Sequence, residues 1–260
     1  MTERVAVRVA DGVCTISLNR PEALNALENS MIAAVNAALD AAEVDDQVRA
    51  ILIRGEGRAF CAGDDLIDMG TPEHPEPEDL SERYTNGYPS IVLRMLAIEK
   101  PIVVAVRKYG LGAGFEIALA ADLIVAEPTA KFGLPFVLRG IAAGTSLLPK
   151  RAPAHLARRL LFLGDMITAT EAHHVGIVAT LSADGVDIDD LARDAAARLA
   201  SSATRAIGLM KRALGGSEAL SVVESFGAQV KATVSSVQTA DFAEGKLAFT
   251  QKRPAEYQGN

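Results

Sequence analysis

Residues 101–136, PIVVAVRKYGLGAGFEIALAADLIVAEPTAKFGLPF, restrict the fold more than any other stretch. Pro101 to Val106 is an unbroken apolar, β-branched run, which reads as a buried strand. Glycines recur at Gly110, Gly112 and Gly114. An apolar run with a single acid, Glu116, then reads as the start of a buried helix. A second short strand is expected from Asp122 to Ala126, and Lys131 to Gly133 reads as extended. A strand, a glycine turn and a buried helix in succession point to a layered α/β core.

The turn has chemical consequences. The first N–H groups of a helix have no partner within it, and the helix dipole adds positive potential there. Glycines let a ligand approach the backbone closely. Such a turn can hold a phosphate or stabilise a developing oxyanion. Glu116 falls one turn into the helix, close enough to serve the same ligand as general acid or base. Blander readings stand beside this one. Glycine-rich strand-to-helix turns are common punctuation in α/β proteins, and the dipole alone favours an acid near a helix N-terminus. The specific competitor is a dinucleotide fingerprint, G-x-G-x-x-G. Here the third glycine comes one position too early.

The rest of the chain fits around this unit. Residues 4–10 and 13–19 alternate about Asp11-Gly12, a two-residue hairpin signal. Residues 29–44 have helical spacing, with Met31, Val35 and Leu39 on one face and Asn29 or Ser30 as the expected cap. Residues 70–79, GTPEHPEPED, read as a mobile loop and a candidate lid. A helix then runs to about Glu99, with a kink or restart expected at Gly87 and Pro89. From Pro153 the pattern turns nearly all helical, with breaks expected at Gly164–Thr168, Ser182–Gly185 and Gly215-Gly216.

Composition excludes some functions. With 260 residues, 49% of them hydrophobic, a sizeable core is within reach, as one large domain or one domain with a helical appendage. A net charge of −7 and a pI near 5.2 argue against a nucleic-acid partner. No apolar run has membrane-spanning length, and the start, MTERVAVRVADGV, lacks a signal-peptide core. A cytoplasmic location is expected. Cys14 and Cys61 have neither metal-ligand spacing nor disulfide logic in that compartment. The histidines, His74, His155, His173 and His174, form no metal pattern, so no metal is expected.

Two further stretches matter. LNRPEALNAL occupies 18–27, and RAFCAGDD occupies 58–65 after an apolar strand at Ala50 to Ile53. With GLGAGFE at 110–116 and EGKLAFTQKRPAEY at 244–257, they occur in the order and spacing of the crotonase superfamily, the enoyl-CoA hydratases and isomerases. Over nearly its whole length the chain resembles that family.

The resemblance implies a spiral of β-β-α turns followed by helices that pack on neighbouring subunits, in trimers or dimers of trimers. It divides the chain into a spiral core, 1–190, and a helical C-terminal oligomerisation part, 191–260. It implies an acyl-CoA thioester as substrate, coenzyme A as part of that substrate, and no separate cofactor. It implies that backbone N–H groups of Asp64 and Ala113 hold an enolate-like oxyanion, with Glu116 as acid/base. For coenzyme A it points to Glu22, Ala23, Ala26, Ala62 and Asp64, and to Phe249 and Lys252, often from a neighbouring chain.

One departure is pronounced. Hydratases of the family carry a second glutamate after a proline, in a G-x-P-E segment. Here the segment is Gly133-Leu134-Pro135-Phe136, and Phe136 can neither accept nor donate a proton. Hydration typically uses two carboxylates to position its water. Asp64, Asp65 and Asp68 are the nearby acids that could substitute, although a solvated turn and helix start explains Asp65 and Asp68 as well. The best-fitting activity is enoyl-CoA hydratase/isomerase-like. Decarboxylation or hydrolysis through the same enolate is an alternative, as is an acyl-CoA binding protein with weak catalysis.

Overall fold

The computed structural model describes residues 3–68, 70–72, 75, 78–217 and 220–260. Its strands are β1 Val5–Ala10, β2 Val13–Leu18, β3 Ala50–Gly55, β4 Ile102–Val106, β5 Tyr109–Leu111, β6 Leu123–Ala126, β7 Lys131–Gly133, β8 Met166–Thr168 and β9 Thr180–Leu181. Its helices are α1 Asn29–Val44, α2 Leu80–Asn86, α3 Tyr88–Ala97, α4 Ala113–Ala120, α5 Leu148–Arg151, α6 Ala154–Leu163, α7 Ala169–His174, α8 Ile188–Ala200, α9 Thr204–Ser217, α10 Val222–Ser236 and α11 Ala240–Gln251.

The main sheet has the order β1-β2-β3-β4-β6-β9. Only β1 and β2 pair antiparallel, joined at Asp11 and Gly12, whose positive φ angles of 51° and 76° suit the right-handed twist of a tight hairpin. The other strands of this sheet pair in parallel. A second, smaller sheet has the order β5-β7-β8. Isolated bridges Leu27↔Asp64 and Cys61↔Gly110 extend the same pattern to earlier parts of the chain. Each passage thus runs from a strand of the main sheet, through a short extended piece of the second layer, into a helix. The β4–β5–α4 unit is the clearest case, and the succession builds the expected spiral.

The main sheet is buried on both faces, so its strands read as continuous apolar runs. Ile51, Ile53, Ile102, Val104 and Ile124 join a large cluster with α1, α3 and α4. Leu52, Val103, Ala105 and Val125 face the other way, onto Ile188, Ala192, Ala196 and Ala200 of α8. That four-residue spacing puts one small-residue stripe of α8 against the sheet. The expected division after residue 190 therefore falls inside a helix that closes the core.

Three local expectations need correction. Asn29 is the first residue of α1 rather than its cap. The N-cap, Glu28, makes no side-chain cap bond, and the Asn29 N–H donates to Asp68 Oδ2 at 3.3 Å. A residue distant in sequence supplies the cap. Gly215-Gly216 does not break α9, which runs to Ser217. Both glycines fall just inside the end of α9 rather than beyond it, and helix ends vary by a residue or two. The following helix starts instead at a capping box, Ser221 with Glu224. Third, the stretch after Pro153 contains β8 and β9 as well as helices. The restart at Gly87 is as expected, since α2 ends and α3 begins there. In the proline-rich stretch 70–79, residues 73, 74, 76 and 77 lie outside the described residues, His74 among them.

Candidate active site

The site begins with a clamp between two segments distant in sequence. Asn25 is fully buried in the left-handed conformation, with φ 55°, which asparagine tolerates better than most residues. Its Oδ1 accepts from the Arg20 N–H at 2.8 Å, and its Nδ2 donates to Glu56 O at 3.0 Å and Ala59 O at 2.8 Å. Arg20 forms an ion pair with the buried Asp65 and donates to Ala26 O at 3.2 Å. The Leu27 N–H donates to Gly63 O at 2.8 Å, and the Ala62 N–H to Leu24 O at 3.0 Å. These bonds explain why arginine and asparagine occupy one segment and aspartate the other. They lay residues 20–27 alongside residues 61–65 and present Asp64 to the interior.

On the other side stands the glycine turn. Gly112 has φ +54° and ψ −125°, a backbone state that disfavours any Cβ. A Cβ on Gly114 would meet Cys61 Cβ and O at 2.7 Å, so α4 can approach the Cys61 strand only with glycine there. A Cβ built on Gly63 would lie 3.6 Å from the Ala113 nitrogen, which brings the Asp64 and Ala113 amides into one neighbourhood. The Gly112 N–H donates to Gly133 O at 2.9 Å, and Phe115 and Glu116 N–H both donate to Gly112 O. The Ala113 N–H has no acceptor among the described residues. That of Asp64 interacts only with its own carboxylate. The Ala113 amide thus remains a donor at the first turn of α4, where the dipole is positive, with Asp64 next to Gly63 close by.

Glu116 is 6% exposed on α4. Tyr88 Oη donates to its Oε2 at 3.0 Å. Its Oε1 is buried with no hydrogen-bond partner among the described residues. Burial pushes the Glu116 carboxyl above its usual range, against a smaller opposing effect of the Tyr88 hydrogen bond. Tyr88 itself is held protonated, first by burial and then by the charge of Glu116. The Tyr88 ring stacks on Phe136 at 6.3 Å between centroids and 13° between planes. A Cβ on Gly112 would sit 3.7 Å from the Phe136 ring, so that ring walls the glycine turn.

Asp64 is half-buried, and its carboxyl is pushed up to about 6. Desolvation is the largest cause; Arg83 opposes it, and the charge of Glu116 adds to it. With Leu27, Arg83, Tyr84 and Tyr88 it lines a recess of about 40 Å³, room for a water or two. Cys61 lies behind the turn, fully buried, its thiol pushed up to about 12. It is no nucleophile at neutral pH.

The structure therefore brings Glu116, Asp64 and Ala113 together. Glu22 and Ala23 lie on the 3₁₀ turn Pro21–Ala23, with Ala26 just beyond and Ala62 hydrogen-bonded alongside. Glu22 is exposed and paired with Arg4 at 3.0 Å. Phe249, 87% exposed, and Lys252, exposed and left-handed at the end of α11, stand on a separate element. Asp65 and Asp68 serve structure, through Arg20 and the start of α1. Arg139 is exposed and donates to Pro135 O. Sequence reasoning missed Tyr88. It reaches Glu116 across 28 positions from the helix restart at Gly87, and that restart is the only local signal.

Comparison with known proteins agrees with this geometry. The sequence profile of the enoyl-CoA hydratase/isomerase family matches residues 8–260. The chain is 34% identical to 1,2-epoxyphenylacetyl-CoA isomerase of Escherichia coli K12, over 100% of both chains. It is 32% identical to 2,3-dehydroadipyl-CoA hydratase of the same organism, over 95% of each. It superposes on the crystal structure of enoyl-CoA hydratase from Mycobacterium tuberculosis H37Rv with a TM-score of 0.86, at 30% identity over 99% of both chains.

Proposed function

The chain belongs to the enoyl-CoA hydratase/isomerase family of the crotonase superfamily, and from that premise we propose that it moves a proton beside an acyl-CoA thioester with Glu116 as its single acid/base. In this reading Glu116 Oε1 takes a proton from a substrate carbon. The C–H electron pair moves into an enolate whose charge settles on the thioester oxygen. The N–H groups of Asp64 and Ala113 hold that oxygen. Glu116 then returns the proton to the carbon two further along the chain, so a double bond migrates with no other reactant. One such donor contributes about 3 kcal/mol in acyl-transfer sites.

The observation that carries the reading is the buried Oε1, without a hydrogen-bond partner among the described residues, on the helix that opens at the Ala113 amide. Proton shuttling suits this site better than water addition. Phe136 stands where the family's hydratases place their second glutamate, and its ring with Tyr88 makes that wall apolar. Glu22, Ala23, Ala26 and Ala62 hold the pantetheine and adenine, with no cofactor besides the substrate's coenzyme A. Phe249 and Lys252 serve a neighbouring copy in a homotrimer or a dimer of trimers.

The test is turnover of crotonyl-CoA (hydration) and of 3-hexenoyl-CoA (double-bond migration) by the wild type and Glu116→Gln. We expect the wild type to prefer migration, and the variant to lose at least 100-fold of it, the lower end of the range for a general acid/base. Turnover unchanged in Glu116→Gln sinks the reading. Loss of hydration alone would favour a hydratase that draws on Asp64.

A further inference from the structure

A carboxylate that shuttles protons at a substrate carbon has two oxygens, and something must decide which one reacts. In this molecule the two are treated differently. Glu116 Oε2 accepts the Tyr88 hydroxyl at 3.0 Å, whereas Oε1 is buried without a hydrogen-bond partner among the described residues. Tyr88 is itself fixed from both sides. Its ring lies nearly parallel to Phe136. Its backbone is set by the helix restart, where Gly87 closes α2 by donating to Arg83 O at 2.8 Å and Pro89 occupies the first turn of α3. We propose that Tyr88 is the positioning residue of this site: by occupying Oε2 it holds the Glu116 carboxyl in one orientation and leaves Oε1 as the atom that exchanges a proton with the substrate. The substrate half of this statement rests on the function proposed above. The orientation of Glu116 does not.

Few groups compete for this role. From the loop after β3, Asp64 places its charge near both Glu116 and Tyr88. Arg83 on α2 acts on Asp64 and favours its charged form. On α3, Arg94 is engaged by Asp40 at 2.8 Å. The 135–139 turn and α5 carry Arg139, Lys150 and Arg151 at exposed positions. Tyr88 therefore supplies the direct hydrogen bond to the carboxyl. Because it stays a protonated donor, it favours the charged form of Glu116 and counteracts part of the burial cost.

The experiment is an infrared titration of the full chain, with the Glu116 carboxyl band assigned by its absence in Glu116→Gln. Tyr88→Phe keeps the ring and removes the donor. Its Glu116 midpoint should rise, the proton dissociation constant falling about ten-fold for one lost hydrogen bond to a carboxylate. The limb of the kcat–pH profile for 3-hexenoyl-CoA that reports Glu116 ionisation should move the same way. We expect kcat to drop about ten-fold, with KM within two-fold of the wild type. Site-specific 3-fluorotyrosine at position 88 preserves shape and strengthens the donor, so its midpoint should fall. A purely structural tyrosine predicts a lower melting temperature in Tyr88→Phe with no movement of either midpoint, and that result overturns the proposal. If Tyr88→Phe fails to fold, an unmoved midpoint in the fluorotyrosine protein overturns it as well. Full activity of Glu116→Gln would sink the proposed function, and the infrared midpoints would still decide the role of Tyr88.

Discussion

The residues of the site pull against the stability of the fold. Asp64 has its carboxyl raised to about 6 from 3.8, chiefly by desolvation. A group whose folded pKa is raised contributes stability below its unfolded pKa, and that contribution is lost as pH rises through the folded value. For Asp64 the window is pH 4 to 6. Asp64→Asn should therefore match the wild type near pH 4 and exceed it near pH 7. The gain is about 2 kcal/mol once solvent screening of a half-buried group is allowed for. Thermal unfolding at the two pH values measures this, and an equal difference at both contradicts it. Asn25 is the opposite case. It is chemically silent in the proposed reaction, yet its buried amide makes three hydrogen bonds from a left-handed backbone. Asn25→Ala should cost about 3 kcal/mol by chemical denaturation, because it leaves buried backbone groups unpaired. A cost below 1 kcal/mol would mean water replaces the amide.

At the scale of elements, much was legible because the information was local. The apolar run of β4, the glycines before α4 and the acid one turn into it sit side by side in the chain, and they fold as read. The Asp11-Gly12 hairpin and the restart at Gly87 are local in the same sense. What escaped was tertiary. Asp68 caps α1 from a loop far along the chain, and Tyr88 meets Glu116 from another helix. No sequence window contains both partners of such a contact. The 3₁₀ turn Pro135–Arg139 offers a test at this scale, since its backbone carries Phe136 to the wall of the glycine turn. Phe136→Glu should raise crotonyl-CoA hydration about 100-fold if the turn keeps its path, within the range expected of an added general base. It should also raise the Glu116 midpoint further, through repulsion between two buried carboxylates. Fast hydration in the wild type, unchanged in Phe136→Glu, would assign the second acid to Asp64.

The whole molecule has an unfinished surface. No helix among the described residues is long and apolar enough to cross a membrane. The C-terminal helices nevertheless expose a stripe of large apolar side chains. On α10, Val223, Phe226, Val230 and Val234 are 82%, 57%, 56% and 51% exposed, at helical spacing on one face. Phe242 and Phe249 of α11 are exposed as well. α9, on which α10 packs, is tied to the core by ion pairs. Lys211 pairs with Asp122 at 2.7 Å and Arg212 with Glu99 at 2.7 Å. Arg49 donates to Tyr257 O at 2.6 Å, which lashes the tail to the core. An apolar stripe left facing outward is the kind of surface that a partner covers. We take that partner to be another copy of this chain, as in the assembly proposed above, in which Phe249 and Lys252 would lie at a neighbour's coenzyme. Phe226→Glu puts a charge in the middle of the stripe and touches nothing near Glu116. In sedimentation velocity the wild type should run as a trimer or hexamer and the variant as a monomer. Coenzyme A affinity, by calorimetry, should fall in the variant by about ten-fold or more, the loss of one interfacial anchor. The infrared midpoint of Glu116 should stay where it was. A wild type that sediments as a monomer, or a variant that remains assembled, refutes this use of the surface. Coenzyme A binding at full strength by a monomeric variant would return the whole coenzyme site to Glu22, Ala23, Ala26 and Ala62 of a single chain.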